Sequence, residues 1–368
     1  MKKILLVVLT FGMLCGCQNK KDDNVVRIAC NLPMTGYIGY YGQWIQNGLE
    51  LAKNEQKHIL DSMNVIIDID YQDNKGETKE AVNVFQKQMM QSPDLYMSGI
   101  TTQTMSILNQ VEKQDIPHML WSWTPLWLSE GKKEYRCWVN YGVEGKHIAD
   151  YCIAQAPKKV ACIYLNILGA KVQCHEVIAP ALKEYDKNVE LYLEEYPIET
   201  TNFRDIALKL KKFNPDVIVL SGFKENLINA TKDFAAYNID KSKIICSMDL
   251  LDAVNEVSNE ILEGYHVTAP AFNILELQSE HTKSWIDAFI KEYNRQPLYT
   301  EAYAYDAMIA LIEAICIASQ ENCSLDSALH QVDIEGVTGH LTFSRNGEIE
   351  DNLHVGIFRS GILYVDQF

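Results

Sequence analysis

Apolar positions along this chain fall into two alternating rhythms. Short apolar runs at 25–32 (VVRIACNL), 65–71 (VIIDIDY), 94–99 (DLYMSG) and 117–123 (PHMLWSW) read as strands. Between them, residues 43–56, 77–90 and 102–113 repeat apolar side chains at helical spacing; Trp44, Ile45, Leu49 and Ala52 share one face. After the run at 135–140 (YRCWVN) the same rhythm restarts. Helices are expected at 145–155, 169–185, 203–212 and 225–237, and strands at 158–165, 189–196, 215–222 and 243–248. Such alternation implies parallel sheets covered by helices on both faces. Two successive sets imply two lobes.

From Gly264 the order changes to a strand at 264–270, long helices at 280–293 and 301–319, and short strands at 339–344, 353–359 and 362–366. This tail continues neither lobe, so the chain is expected to recross between them. The fold class that follows is α/β: two doubly wound parallel-sheet lobes joined by a multi-strand hinge, with a ligand cleft between them. The expected partition gives residues 25–139 with 270–330 to lobe one and 140–269 with 331–368 to lobe two.

The first residues follow a different logic. Lys2-Lys3, an apolar run from Ile4 to Leu14 and Cys15-Gly16-Cys17 describe a signal peptide over 1–16, too short to span a bilayer. Leu14-Cys15-Gly16-Cys17 resembles a bacterial lipobox, which implies that Cys17 carries a lipid anchor. An ordinary signal peptide with two incidental cysteines is the plainer alternative. Residues 17–24 then form a lipidated polar tether (CQNKKDDN). Beyond residue 16 no apolar run approaches membrane-spanning length, which implies a soluble body outside the cytoplasm, periplasm-facing or at the cell surface.

Charge narrows the partners. The net charge is −16, and removing the leader takes away two lysines and no acid. Nucleic acid demands clustered Lys and Arg, so it is excluded as a partner. Eight cysteines remain past the lipobox, several inside strand-like runs where Cys acts as a small buried hydrophobe. No CxxC and no zinc spacing occurs, so no metal or other cofactor is expected. A Cys316–Cys323 disulfide stays open.

Three loops carry candidate chemistry. PMTGYIGYYG follows the first strand; Gly36, Gly39 and Gly42 permit tight turns, and Tyr37, Tyr40 and Tyr41 offer flat walls with hydroxyl tips. Thr101, Thr102 and Gln103 follow the third strand, where they can cap a helix and donate hydrogen bonds to an anion. WSWTP follows the fourth. An enzyme is disfavoured: adjacent Cys174-His175 point about 100° apart on a helix, and no nucleophile elbow, HExxH or Walker loop is present.

The stretches RIACNLPMTGYIGYYGQWIQNGLELA, YQDNKGETKEAV, MSGITTQTM, IPHMLWSWTP, TNFRDIALKLKKFNPDVIVLSGF, EAYAYDAMIALIEAI and VTGHLTFSRNGEI, in this order, resemble the type I periplasmic binding protein superfamily. The likeness is to its Leu/Ile/Val- and amide-binding branch, serving ATP-driven importers. It implies a monomeric, non-enzymatic binding protein for a small polar ligand, amino acid or amide-like, with an ABC permease as partner; a membrane signalling partner is the alternative, and hydrolysis of a bound amide a poor second. It further implies that Tyr41 faces the ligand and that Thr101, Thr102 and Gln103 grip a carboxylate, completed by Ser122, Trp123 and Thr124. From the second lobe it implies Leu168, Phe223 and Asp249, the last pairing with an ammonium group. Two Trp around Ser122 imply a bulkier or flatter wall, and Leu168 where the family has a Tyr implies an altered or more apolar ligand.

Overall fold

Five strands, Val25–Leu32 (β1), Ile66–Asp73 (β2), Leu95–Gly99 (β3), His118–Trp121 (β4) and Glu134–Arg136 (β5), pair in parallel in the order β2-β1-β3-β4-β5. This is a computed structural model, and it describes residues 24–124, 128–366 and 368. The central β3 is buried along its whole length, as a strand covered on both faces must be. Edge strand β2 mixes Ile with Asp, Tyr and Gln, and polar side chains on an exposed edge discourage pairing with another chain.

The second sheet contains Lys159–Leu165 (β6), Glu190–Tyr196 (β7), Val217–Leu220 (β8), Ile244–Cys246 (β9) and His266–Pro270 (β10), all parallel. After a small antiparallel pair, Asp333–Glu335 (β11) with His340–Thr342 (β12), the chain adds Leu353–Arg359 (β13) and Ile362–Val365 (β14). These two run antiparallel and extend the order to β14-β13-β10-β9-β8-β6-β7. The fold is therefore a mixed α/β structure with two mainly parallel sheets, and the chain leaves the second sheet after β10 and returns to it at β13.

Between β10 and β11 lie the helices Glu280–Tyr293 and Tyr299–Glu321. The second has 23 residues and a mean hydropathy of 1.5 over its most apolar window, enough by length and composition to cross a membrane. This corrects the reading that no such run follows residue 16. In the fold that window is 67% buried. It packs on the helix Gly39–Glu55, where a Cβ on Gly48 would sit 2.3 Å from the Glu301 carbonyl oxygen, so only glycine allows the approach. The helical stretch expected at 169–185 is present but widens into a π-helical segment, Gln173–Ile178. There His175 Nε2 pairs with the Tyr164 hydroxyl at 2.7 Å.

Arg136 ties the end of β5 to the C-terminal segment. It is fully buried, donates Nε to Glu348 Oε2 at 2.8 Å, and donates its other nitrogens to the carbonyls of Ser122 and Thr124. Cys316 and Cys323 are both free thiols. The signal peptide, Cys15, Cys17 and the tether through Asp23 lie outside the described residues.

Candidate functional site

The carboxyl ends of the two sheets face each other across a cavity of about 270 Å³. In open α/β sheets this is where βα loops and helix N-termini gather. Every wall residue belongs to such a loop or to the helix that follows it.

The β1 loop turns at Gly36, whose φ of +85° belongs to the left-handed region, and a Cβ there would meet the Lys75 carbonyl oxygen at 2.7 Å. Asp73, ending β2, ties this loop to its own. It accepts hydrogen bonds from the backbone N–H groups of Met34 (2.8 Å), Thr35 (3.2 Å) and Lys75 (2.8 Å), and from the Thr35 hydroxyl (2.6 Å). Burial pushes the Asp73 carboxyl up, but these donors outweigh it and hold it below its ordinary value. Tyr37 and Ile38 from one loop and Lys75 and Gly76 from the other thereby reach the wall.

The β3 exit supplies Ile100, Thr101, Thr102 and Gln103. Here the expected cap is corrected: the N-cap of the helix Thr101–Val111 is Ile100, whose side chain makes no cap hydrogen bond, and among the described residues no side chain accepts from the first-turn N–H groups. Thr101 Oγ1 instead accepts from the Trp123 backbone N–H (3.0 Å) and the Ser122 hydroxyl (3.2 Å). First-turn N–H groups therefore open on the cavity at the positive end of the helix dipole, an arrangement suited to an anion or a carbonyl oxygen. Gln103 donates to the Gly76 carbonyl, and its Oε1 is buried without a partner.

Trp123 is the floor. It stacks on Trp138 (centroids 4.5 Å, 23°) and lies near-parallel to Tyr141 (5.7 Å, 29°). The second sheet contributes Ile167, Leu168 and Gly169 after β6, Ile198 after β7 and Phe223 after β8. A Cβ on Gly169 would fall 2.0 Å from Tyr141 Cε2, so the Tyr141 ring owes its position to this glycine.

Of the expected residues, Thr101, Thr102, Gln103, Trp123, Leu168 and Phe223 stand on this wall. Four do not. Ser122 and Thr124 are fully buried, and their carbonyls accept from Arg136. Tyr41 is also fully buried, behind Trp123 and Phe223, and its hydroxyl donates to Asp249 Oδ1 at 3.2 Å. Asp249 is 2% exposed and also accepts from the Tyr299 hydroxyl (3.1 Å) and the Ser247 hydroxyl (3.1 Å). Burial and the neighbouring Glu144 push its carboxyl up to about 7, despite the three hydroxyl donors. Tyr37, offered by the first loop as a flat wall, is on it; the wall residues that the sequence did not single out are Ile38, Lys75, Gly76, Ile100, Tyr141, Ile167, Gly169 and Ile198. Asn-Lys-Gly at 74–76 was a legible turn signal, and Asn140, which accepts from the N–H groups of Gly142 and Val143, is a legible helix start before Tyr141.

A family model described as periplasmic binding protein matches residues 25–356. The chain belongs to the type I periplasmic binding protein family. It is thus a substrate-binding protein of the ABC transporter type, with its place outside the cytoplasm. Among solved structures it is similar to the leucine binding protein LivK of Thermotoga maritima, at 18% identity and TM-score 0.79, covering 93% of this chain and 97% of that one. The branched-chain amino acid substrate binding protein LivJ of Streptococcus pneumoniae, solved with isoleucine, gives 22% identity and TM-score 0.79 over 93% and 99%. A solute binding protein of R. palustris, solved with benzoate, gives 16% and 0.81 over 93% and 95%. At such identities the likeness carries the fold. No curated protein matches the chain.

Proposed function

We propose that this protein captures one small organic solute in the inter-sheet cavity, by closure of two lobes divided as 25–139 with 270–330 and 140–269 with 331–368, and delivers it to an ABC permease. The observation that carries the proposal is the uncapped N-terminus of the helix Thr101–Val111 facing an aromatic floor across the cavity. Such an end takes a carboxylate or carbonyl oxygen, while Trp123, Tyr141 and Phe223 take an apolar body. Amino acids, amides and benzoates all have such an end, and two relatives were solved with isoleucine and benzoate.

Closure has its own contacts. The Tyr37 hydroxyl donates to the Ile198 carbonyl (3.2 Å), Tyr40 to Glu225 (3.2 Å) and Tyr41 to Asp249 (3.2 Å), each joining the first helix region to the second sheet's loops. Opening breaks these bonds, so a solute that fits only the closed cavity shifts the balance toward closure. The protein works as a monomer, without a cofactor and without turnover, tethered by a lipid on Cys17.

Native mass spectrometry of the soluble body begun after Cys17, exposed to small-molecule extracts, tests this. One retained solute per chain, recovered unchanged and lost in Trp123→Ala, is expected. A chain that retains no solute from any extract, or that converts it, contradicts the reading.

A further inference from the structure

The cavity and the interior behind it differ in how they treat charge. Lys75, exposed at the rim, is the one charged side chain on the wall among the described residues. Two acids behind the wall are already engaged by uncharged donors. Asp249 takes the hydroxyls of Tyr41, Tyr299 and Ser247; Glu144 takes the Met248 N–H (2.7 Å), the Thr268 hydroxyl (2.6 Å) and the Gln173 amide (2.7 Å). Asp252 is also buried and stands off the wall; burial, then Asp249 and Glu301, push its carboxyl well above the usual range, while Tyr299 and Lys224 pull it back. Nearer the rim, Glu225 accepts from Tyr40, and Glu199 is exposed.

An ammonium group entering this cavity loses its water and must reach past the rings of Trp123 and Phe223 to Asp249, whose Oδ1 already holds two tyrosine hydroxyls. Desolvating a charge without a partner costs several kcal/mol. A carboxylate meets the opposite conditions: open helix N–H groups, the dipole's positive end and Lys75. The rest of the wall is mainly apolar, with Ile38, Ile100, Ile167, Leu168 and Ile198 around the aromatic slab.

Resting on the capture function above, we infer that the solute class is an apolar-bodied monocarboxylate lacking a free ammonium group, its carboxylate at Thr101–Gln103 and Lys75 and its body against Trp123, Tyr141 and Phe223. Tyr41 and Tyr299 fill, from within the protein, the place beside Asp249 that an amino acid's ammonium group would need.

Calorimetric titration of the soluble body with matched probes tests this: 3-phenylpropanoate against phenylalanine, and 4-methylpentanoate against leucine. The deaminated acid of each pair is expected to bind more than ten-fold tighter, the consequence of an unpaired buried charge. Lys75→Met, an exposed substitution, is expected to weaken 3-phenylpropanoate by roughly two- to five-fold, as for a solvent-exposed ion pair, and to weaken 3-phenylpropanamide by a smaller factor. Amino acids binding as tightly as their deaminated partners would overturn the class while leaving solute capture intact. Binding of none of the four acids would overturn it too; the capture function then still stands or falls by the mass-spectrometric test. An equal Lys75→Met effect on acid and amide would refute the placement of the carboxylate.

Discussion

The backbone N–H of Trp123 donates to the hydroxyl oxygen of Thr101 at 3.0 Å. This bond fastens the aromatic floor of the cavity to the first residue of the helix whose N-terminus forms its polar end. Thr101→Val keeps the shape but leaves the Trp123 N–H and the Ser122 hydroxyl buried without an acceptor. The expected loss is about 1–3 kcal/mol of unfolding free energy, with weaker solute binding. Thr101→Ser, which keeps the oxygen, should recover most of both. Denaturant unfolding of the two variants checks this, and equal stability of Val and Ser would refute it.

Asp249 gives a pH dependence with a definite sign. Its folded carboxyl is raised from 3.8 to about 7, so between these values the folded protein holds a proton that the unfolded chain has lost. The group's contribution is therefore most favourable below about pH 4, falls as pH rises through 7, and is constant above. The slope reaches at most about 1.4 kcal/mol per pH unit. Asp249→Asn, which cannot ionise, should gain on the parent as pH climbs from 5 to 7.5 and then stop gaining. Unfolding free energies measured across that range decide it; parallel curves for the two proteins would show that Asp249 is ionised throughout.

Gly169→Ala should damage binding far more than folding. The added Cβ would fall 2.0 Å from the Tyr141 ring, which must swing away from Trp123 or into the cavity. A ten-fold or larger loss of solute affinity is expected, with a stability change of about 1–3 kcal/mol, the range for overpacking. Titration and thermal unfolding of the same preparation separate the two effects, and unaltered affinity would show that the Tyr141 ring is not part of the site.

The proposed lipid anchor on Cys17 can be tested apart from binding. Cys17→Ala should leave the membrane fraction or accumulate as an uncleaved precursor, whereas Cys15→Ala should stay anchored. Membrane fractionation with immunodetection reads both, and equal retention would remove the lipobox assignment.

The fold was legible because its elements carry clear apolar periods: the strands Val25–Leu32 and Leu353–Arg359 and the helix Glu280–Tyr293 coincide with the pattern, and most other ends shift by a few residues. Short elements escaped it. Leu325–Leu329 and Asp333–Glu335 carry too few positions to show a period. The site was legible loop by loop but not side chain by side chain. Which loops meet follows from topology, and so Thr101, Trp123 and Phe223 reach the wall. Which residues reach the wall depends on distant partners: Arg136 holds the backbone of Ser122 and Thr124 inside the fold, and the Tyr41 hydroxyl is bonded to Asp249 behind the floor. Nothing near those residues in the sequence announces either partner.

The most direct test of solute capture is a crystal structure of the soluble body with its retained solute. The predicted result is one molecule between the two sheets, with an oxygen within hydrogen-bond reach of the Thr102 or Gln103 backbone N–H and its body packed on Trp123. A solute bound outside this cavity, or bound within it with no contact to the Thr101–Val111 N-terminus, would contradict the account.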